Sequence, residues 1–283
     1  MSQITAKVVA HSICNDIEII SVQTRAPKFL DAEVEKHRML ATNSSSDRAI
    51  PFSKLSEKDF FLPNDVRKNQ PGMQGVHSLS EKELEDFHVT LRSVFSFTVG
   101  SLMGHQSIHK QHLNRYLLGF SMQDKIITGN KEQFDYFFSL RDTEHADPAI
   151  QVLARKMKLA INESRPKVLN SSEWHLPYVS LEKRSQGVNW PLVSAARCAR
   201  VSYLNHDQSE PDIEKDIDLA ERLIEHKHWS CFEHQLTPML YPSRDINMGI
   251  AMFPQGVTHW DKDGNFWSGN HRGWIQLRKL VGG

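Results

Sequence analysis

Helical patterns recur along this sequence, whereas segments typical of β-strands are few, and this imbalance most limits what the chain can fold into. Residues 4–10 and 17–23 are short and rich in isoleucine and valine, and Asn15-Asp16 separates them, which predicts a β-hairpin. Apolar residues at helical spacing predict helices over 28–40, 84–102, 107–118, 130–140, 147–166 and 213–226. The sequence therefore predicts one α+β domain over residues 1–283.

Local signals mark where some of these elements begin and end. Ser80 and Glu83 have the spacing of a helix capping box, and Asp147 followed by Pro148 is a typical helix start. The polar run 42–47 predicts a loop. The sequence predicts a long excursion on the surface or over a site at 49–79, an irregular segment at 165–190, and loops with short elements at 242–283. Residues 193–204 fit a helix followed by a strand.

Composition excludes several function classes. Lysine plus arginine equals aspartate plus glutamate, 34 each, so no bulk positive field for nucleic acid or an anionic membrane is expected. The three cysteines, Cys14, Cys198 and Cys231, are widely spaced and include no C-x-x-C pair, which suits a reducing compartment. No apolar run has the length of a membrane span and no secretion signal is recognisable, so a cytoplasmic protein is expected.

The densest group of charged and polar residues lies between residues 33 and 48. Glu33 and His37 would share one face of a helix, beside the cations Lys36 and Arg38. Hydroxyl and amide side chains follow, together with a further arginine: Asn43, Ser44, Ser46 and Arg48. Such groups bind phosphate, although the same pattern also describes a solvated helix followed by a polar turn, which composition alone favours.

Two further clusters stand out. Residues 226–234 contain Cys231 and His234 three positions apart, a zinc-like pair, but no C-x-x-C partner exists and a structural role for these histidines is the simpler interpretation. The other cluster comprises Arg115, Arg141 and His145. Arg141 follows an aromatic run, and an arginine in that context most often extends to the surface.

Four of these segments resemble motifs of the flavin-dependent thymidylate synthases, and together they touch about half of the chain. His37-Arg38, Asn43, Ser46 and Arg48 look like the R-H-R signature and the Ser, Asn, Ser and Arg that follow it. Residues 228–234, 199–203 and 130–150 look like the H-x-[ST]-P-F-E-H, A-R-V-S-[YF] and late arginine segments. In common family members the A-R-V-S and F-E-H segments precede the R-H-R motif, whereas here residues 199–203 and 228–234 follow it. The sequence therefore looks circularly permuted, as in some phage-type relatives.

The resemblance implies a twisted, mostly antiparallel sheet with long helices, a homotetramer with active sites between subunits, and no structural metal. It implies transfer of a one-carbon unit from methylenetetrahydrofolate to C5 of a deoxypyrimidine monophosphate, most simply dUMP to dTMP, with FAD as cofactor and NADPH as reductant. Arg141 and Ser46 would be catalytic, and the substrate would also contact Glu33, Arg48, Gln111 and Arg115. The residues implied for FAD are Lys36, His37, Arg38, Asn43, Ser44, Asn130, His145, Ser202, His228 and Ser230.

This sequence departs from the family pattern at four positions. Lys36 replaces an arginine, Ala41 a serine, Ser44 a glutamate and Glu33 a glutamine. Because an ionised glutamate only accepts hydrogen bonds, Glu33 would suit the amino group of cytosine if it faced the base. Hydroxymethylation, or a dCMP substrate, therefore stays open, unless Glu33 simply pairs with Lys36 or His37. The altered motif also leaves open a flavin- or nucleotide-binding protein without turnover.

Overall fold

A five-stranded sheet organises the chain, with strand order β3-β4-β2-β1-β5. The computed structural model of the protein describes residues 3–46, 51–52, 60–72, 75–105, 107–180, 182, 184–203, 209, 211–241 and 254–283. The strands are β1 (Thr5–Cys14), β2 (Ile17–Pro27), β3 (Ala41–Ser44), β4 (Met122–Asn130) and β5 (Lys167–Val168). All neighbours pair antiparallel except β1 and β5, which are parallel. The predicted α+β class is confirmed.

The predicted hairpin is present and longer than the sequence suggested. β1 and β2 pair from Thr5–Arg25 to Cys14–Ile17, and the turn between them is Asn15-Asp16. Both turn residues have positive φ, 48° and 58°, which Asn and Asp tolerate better than most residues and which matches the twist of a two-residue hairpin.

Eight α-helices are present in the described part of the chain. They are α1 (Asp31–Val34), α2 (Glu81–Met103), α3 (Lys110–Leu113), α4 (Lys131–Arg141), α5 (Pro148–Glu163), α6 (Trp190–Arg200), α7 (Ile213–Glu225) and α8 (Leu277–Leu280). Residues 28–30, 114–117 and 230–233 form 3₁₀ turns. The predicted capping box joins Ser80 and Glu83, and the Asp147 side chain caps α5, so both predicted helix starts are confirmed.

Five short strands lie in the described residues of the carboxy-terminal part, 211–241 and 254–283. They are β6 (Leu236–Pro238), β7 (His259–Trp260), β8 (Phe266–Ser268), β9 (His271–Arg272) and β10 (Trp274–Gln276). β10 pairs with β6, while β7, β8 and β9 form a separate three-stranded sheet.

Several sequence-based assignments were wrong. The helix predicted over 28–40 is only a 3₁₀ turn and α1, because the chain turns after Val34 and His37 becomes buried. Part of the predicted polar loop is the edge strand β3, which hydrogen-bonds with β4. The predicted helix 107–118 is divided into α3 and a 3₁₀ turn. Residues 190–200 are helix throughout, and no strand follows among the residues described up to 203.

Hydrophobic residues cover both faces of the main sheet. On one face Ile20, Val22 and Ile127 pack with apolar residues of α4 and α5. Ile126 packs on the other face with residues of α6 and α7. Successive side chains of a strand point to opposite faces, so the neighbours Ile126 and Ile127 enter different cores. Strand β4 is thus held between two helical layers.

The long helix α2 contributes little to these cores. Phe95 is its single buried residue, whereas Phe97 is 77% exposed and Val89 and Val94 are also exposed. The predicted apolar stripe of this helix is therefore only partly covered within one chain, and the homotetramer stays a prediction. Among the described helices, none combines the length and apolarity required for a membrane span.

Candidate active site

The turn after α1 and the end of α4 bring Glu33, His37 and Arg141 into direct contact. Nη1 of Arg141 donates to Oε2 of Glu33 at 2.8 Å, and Nε of Arg141 donates to Nε2 of His37 at 3.0 Å. The predicted alternative, in which Glu33 pairs with Lys36 or His37, is therefore corrected. The partner of Glu33 is Arg141, because the short helix ends at Val34 and α4 packs beside it.

The histidine of this group is neutral. A guanidinium can only donate hydrogen bonds, so Nε2 of His37 must carry a lone pair to accept from Arg141. Burial lowers the pKa of His37, and the positive charge of Arg141 lowers it further. The ring also packs edge-on against Phe137, with centroids 4.8 Å apart. His37 therefore orients Arg141 without adding a second positive charge.

Arg141 keeps a solvent-accessible edge. Its side chain is 20% exposed and that of Glu33 is 32% exposed. A cavity of about 370 Å³ adjoins His37, and its other described lining residues are Lys36, Arg38, Met39, Leu40, Glu132, Gln133 and Tyr136. Two cations and an exposed tyrosine ring thus border an open space next to the Arg141 group.

A buried lysine fixes α1 to the sheet. Nζ of Lys125, on β4, lies 3.2 Å from Oδ1 of Asp31 and 3.0 Å from Oε1 of Glu35. Burial raises the pKa of Asp31, and the charge of Lys125 opposes that shift. On the same side, burial lowers the pKa of Lys28; Asp31 opposes this shift, and Arg115 adds to it by repulsion. The predicted substrate residue Arg115 therefore lies within electrostatic reach of α1.

Two segments from the second half of the chain, one at Cys198 and one at Ser230, contact the main sheet at β3. Nδ2 of Asn43 donates to the carbonyl oxygen of Cys198 at 2.9 Å, and Oγ of Ser230 donates to Oδ1 of Asn43 at 2.7 Å. Cys198 lies near the end of α6, just before the predicted residue Ser202, and His228 is exposed beside Ser230. Three motifs that are far apart in sequence therefore converge on one side of β3.

The remaining predicted residues are placed as follows. Asn130 is buried, and its side-chain amide bonds the backbone of Glu18 and Arg272, so its polar atoms serve the fold. His145 is exposed in the loop between α4 and α5, and Gln111 lies in α3 beside His112. Ser44 pairs across the ladder with Lys125, Ser46 is exposed, and Arg48 lies outside the described residues.

Sequence reasoning missed Lys125, Asp31, Gln133 and Tyr136. The available signal for Lys125 was its position directly before the apolar pair Ile126-Ile127, since a charge buried in a strand requires partners. Gln133 and Tyr136 line the cavity from α4, where they follow the capping residue Asn130. Nothing local distinguishes them from surface residues of an ordinary helix.

The possible zinc pair has other partners. Sγ of Cys231 lies 3.4 Å from the carbonyl oxygen of His228, and Nδ1 of His234 lies 2.8 Å from Oγ1 of Thr128. Across the described ranges, no group of three or more metal-ligating side chains is placed to hold an ion. These residues serve packing in the described structure.

The family model described as thymidylate synthase complementing protein matches residues 7–167, from the first strand to β5. The chain belongs to this family. The match includes the Glu33–His37–Arg141 group, and membership makes the protein a thymidylate-synthase-type methyltransferase. Residues 199–203 and 228–234 lie beyond the matched range, so the permuted motif order stays a prediction.

Solved structures that resemble the chain include two of the same enzyme. They are crystal structures of a UMP/dUMP methylase, PolB from Streptomyces cacaoi, bound with 5-Br UMP and with 5-Br dUMP. The first is 16% identical with a TM-score of 0.49, covering 58% of this chain and 90% of the other. The second is 16% identical with a TM-score of 0.48, covering 57% and 91%. No curated protein sequence matches the chain.

Proposed function

We propose that this protein transfers a one-carbon unit from methylenetetrahydrofolate to C5 of dUMP, giving dTMP, with FAD as cofactor and NADPH as reductant. The observation that carries the proposal is the contact of Arg141 with Glu33 and His37 inside the segment that matches the family. A deoxypyrimidine monophosphate is the substrate, and bound flavin supplies the hydride that completes the methyl group.

Arg141 polarises the pyrimidine. As C5 becomes nucleophilic, negative charge develops on the ring oxygens, and a fixed guanidinium stabilises that charge before C5 donates its electron pair to the one-carbon unit. His37 and Glu33 hold two edges of the guanidinium before substrate arrives, so little reorganisation is needed. Ser46 binds and orients the substrate, while Arg115, near Lys28, holds its anionic group.

The pairing of Glu33 favours a uracil substrate over cytosine. Oε2 of Glu33 already accepts a hydrogen bond from Arg141, and the two charges compensate each other. Because Arg141 already donates a hydrogen bond to Glu33, this carboxylate does not need the amino group of cytosine as a donor. Modification of dCMP and formation of a hydroxymethyl product are accordingly the alternatives that a product assay must exclude.

The residues around the cavity beside Arg141 fit a flavin nucleotide. Lys36 and Arg38 provide cations for a pyrophosphate, and the exposed ring of Tyr136 provides an apolar face. Asn43, Ser230 and His228 lie at the second group of motif contacts, where β3 meets the end of α6. Ser44, His145 and Ser202 are the remaining side chains proposed to contact the cofactor.

Product analysis tests the proposed reaction. The protein, FAD, NADPH and methylenetetrahydrofolate are incubated with dUMP or dCMP, and products are identified by mass spectrometry. Formation of dTMP from dUMP with dCMP unchanged is expected. A hydroxymethylated product, or efficient conversion of dCMP, would replace the proposed reaction, and bound flavin without any product would identify a non-catalytic binding protein.

An arginine-to-lysine exchange tests the role of Arg141. Arg141→Lys keeps the charge but loses the planar fork that contacts both Glu33 and His37. We expect kcat/KM for dUMP to fall at least about tenfold, about 1.4 kcal/mol in the transition state. Arg155→Lys is the matched control, because Arg155 is exposed on α5 and pairs with Asp142. Near-normal turnover by Arg141→Lys would remove Arg141 from the mechanism.

Flavin content tests the cofactor site separately from turnover. Arg38→Ala and His228→Ala, on the two sides of the proposed flavin site, should each lower the flavin absorbance retained by purified protein. Arg92→Ala on α2 is the control, because Arg92 is exposed and interacts only weakly with Glu85. If both site variants keep the flavin content of the unchanged protein, the cofactor assignment fails.

A further inference from the structure

A second pocket lies in the part of the chain that follows the family match. Its volume is about 560 Å³, and its walls include Trp174, Leu176, Val188, Trp190 and Leu277. Trp190 begins α6 and is buried, with its indole N–H donating to the carbonyl oxygen of Ser185 at 3.0 Å. We call this space the tryptophan pocket. Its indole and aliphatic walls suit a flat apolar group.

One cation also lines the tryptophan pocket. Nη1 of Arg184 donates to the carbonyl oxygen of Trp174 at 3.3 Å, whereas its Nε is covered and has no hydrogen-bond acceptor. Among the described residues, no carboxylate forms an ion pair with Arg184. Burial lowers the pKa of Arg184, yet a guanidinium stays protonated, so its charge is incompletely compensated.

The acid that acts on Arg184, Glu173, does not form an ion pair with it. Glu173 also lines the pocket, and its charge opposes the lowering of the Arg184 pKa, but its own oxygens accept hydrogen bonds from other groups. Oε2 accepts from the backbone N–H of Asn170 at 2.8 Å, and Oε1 accepts from Nζ of Lys167 at 3.4 Å. Within the described residues, this partly buried cation beside two indole rings therefore has no direct carboxylate partner.

We propose that the tryptophan pocket binds a planar aromatic ligand that carries one carboxylate or phosphate group. The ring packs against Trp174 and Trp190, and the anion pairs with Arg184. The side chain of Asn189 does not cap α6 and is a further hydrogen-bonding group at the wall. None of the described residues that line the tryptophan pocket lines the cavity beside His37, so this site is distinct from that cavity and goes beyond the proposed reaction.

Calorimetric titration of the full chain tests the proposal with three probes that share one ring. 2-Naphthoate carries a carboxylate, 2-naphthyl phosphate carries a phosphate, and 2-naphthol carries neither. We expect at least one anionic probe to bind more tightly than 2-naphthol. The anion that binds more tightly identifies the source of the negative charge. Weaker or equal binding of both anions relative to 2-naphthol would overturn the proposal.

Variants locate the binding. Arg184→Gln should weaken the favoured anion at least about tenfold, since a charge-assisted hydrogen bond is lost. Arg92→Gln, at an exposed arginine of α2, is the matched control and should leave the affinity unchanged. Arg141→Lys should also bind the probe normally. An unchanged affinity in Arg184→Gln, or a loss in Arg141→Lys, would overturn the assignment; circular dichroism verifies that each variant is folded.

Discussion

Acidification should destabilise this protein through a group of buried histidines. His175, His234 and His271 are 1%, 0% and 0% exposed. Nε2 of His175 lies 2.9 Å from Oγ of Ser21, and Nδ1 of His234 lies 2.8 Å from Oγ1 of Thr128. These contacts join the second half of the chain to β2 and β4, so charging the rings would disrupt the connection.

The magnitude follows from the shifted pKa values. Burial lowers the pKa of His234 to about 3 and that of His271 to about 4, against a value of about 6.5 for unfolded histidine. Below about pH 6.5 the unfolded chain therefore binds more protons than the folded protein, and stability falls as the pH falls. Each histidine contributes about 1.4 kcal/mol per pH unit, so the pair costs about 4 kcal/mol at about pH 5.

Such a loss is a large fraction of the roughly 5–15 kcal/mol that stabilises a typical domain. The assay is urea unfolding followed by circular dichroism between about pH 5 and pH 8. His271→Gln cannot titrate, so the slope of unfolding free energy against pH should decrease by about 1.4 kcal/mol per pH unit. His226→Gln is the matched control, because His226 is exposed.

Two results would refute this reasoning. One is an unfolding free energy that stays constant within about 1 kcal/mol between those pH limits. The other is a His271→Gln variant with the pH slope of the unchanged protein. Either result would mean that the rings are charged in the folded state or that water reaches them.

Two further changes test the packing of α6 and α7. Asp216→Asn should cost about 3–5 kcal/mol in urea unfolding, because buried Asp216 pairs with both Arg197 and Arg200, whereas Asp218→Asn on the exposed face should stay within about 0.5 kcal/mol. Equal effects of the two would contradict the buried ion group. Lys227→Gly should raise stability by about 1 kcal/mol, because Lys227 has φ of 58° after α7, and a lowered Tm would argue against strain there.

Much of the helical structure could be predicted from the sequence. The capping box at Ser80, the Asp147-Pro148 start and the amphipathic pattern of α7 are local signals, and each marks a helix that is present. The hairpin turn at Asn15-Asp16 was equally readable, because turn residues and strand residues adjoin in sequence. The family was also recognisable, because its motifs are short runs of consecutive residues.

Strand β4 could not be predicted in this way. Met122–Asn130 contains Asp124, Lys125 and Gly129, which are unfavourable in an isolated strand. Its position between β2 and β3 supplies the hydrogen bonds, and α1 supplies the carboxylates that neutralise Lys125. The same long-range pairing converts the polar run after Leu40 into β3.

In the candidate site, too, some features could be predicted from the sequence and others depend on the tertiary structure. The sequence alone predicted that Glu33, His37 and Arg141 belong to the site, and it suggested local partners for Glu33 three and four residues away. Only the tertiary structure decided that Glu33 pairs with Arg141, which is 108 positions distant. Helical spacing describes neighbours along one helix, whereas this pair forms because α4 packs beside the turn after α1, with His37 buried against Phe137.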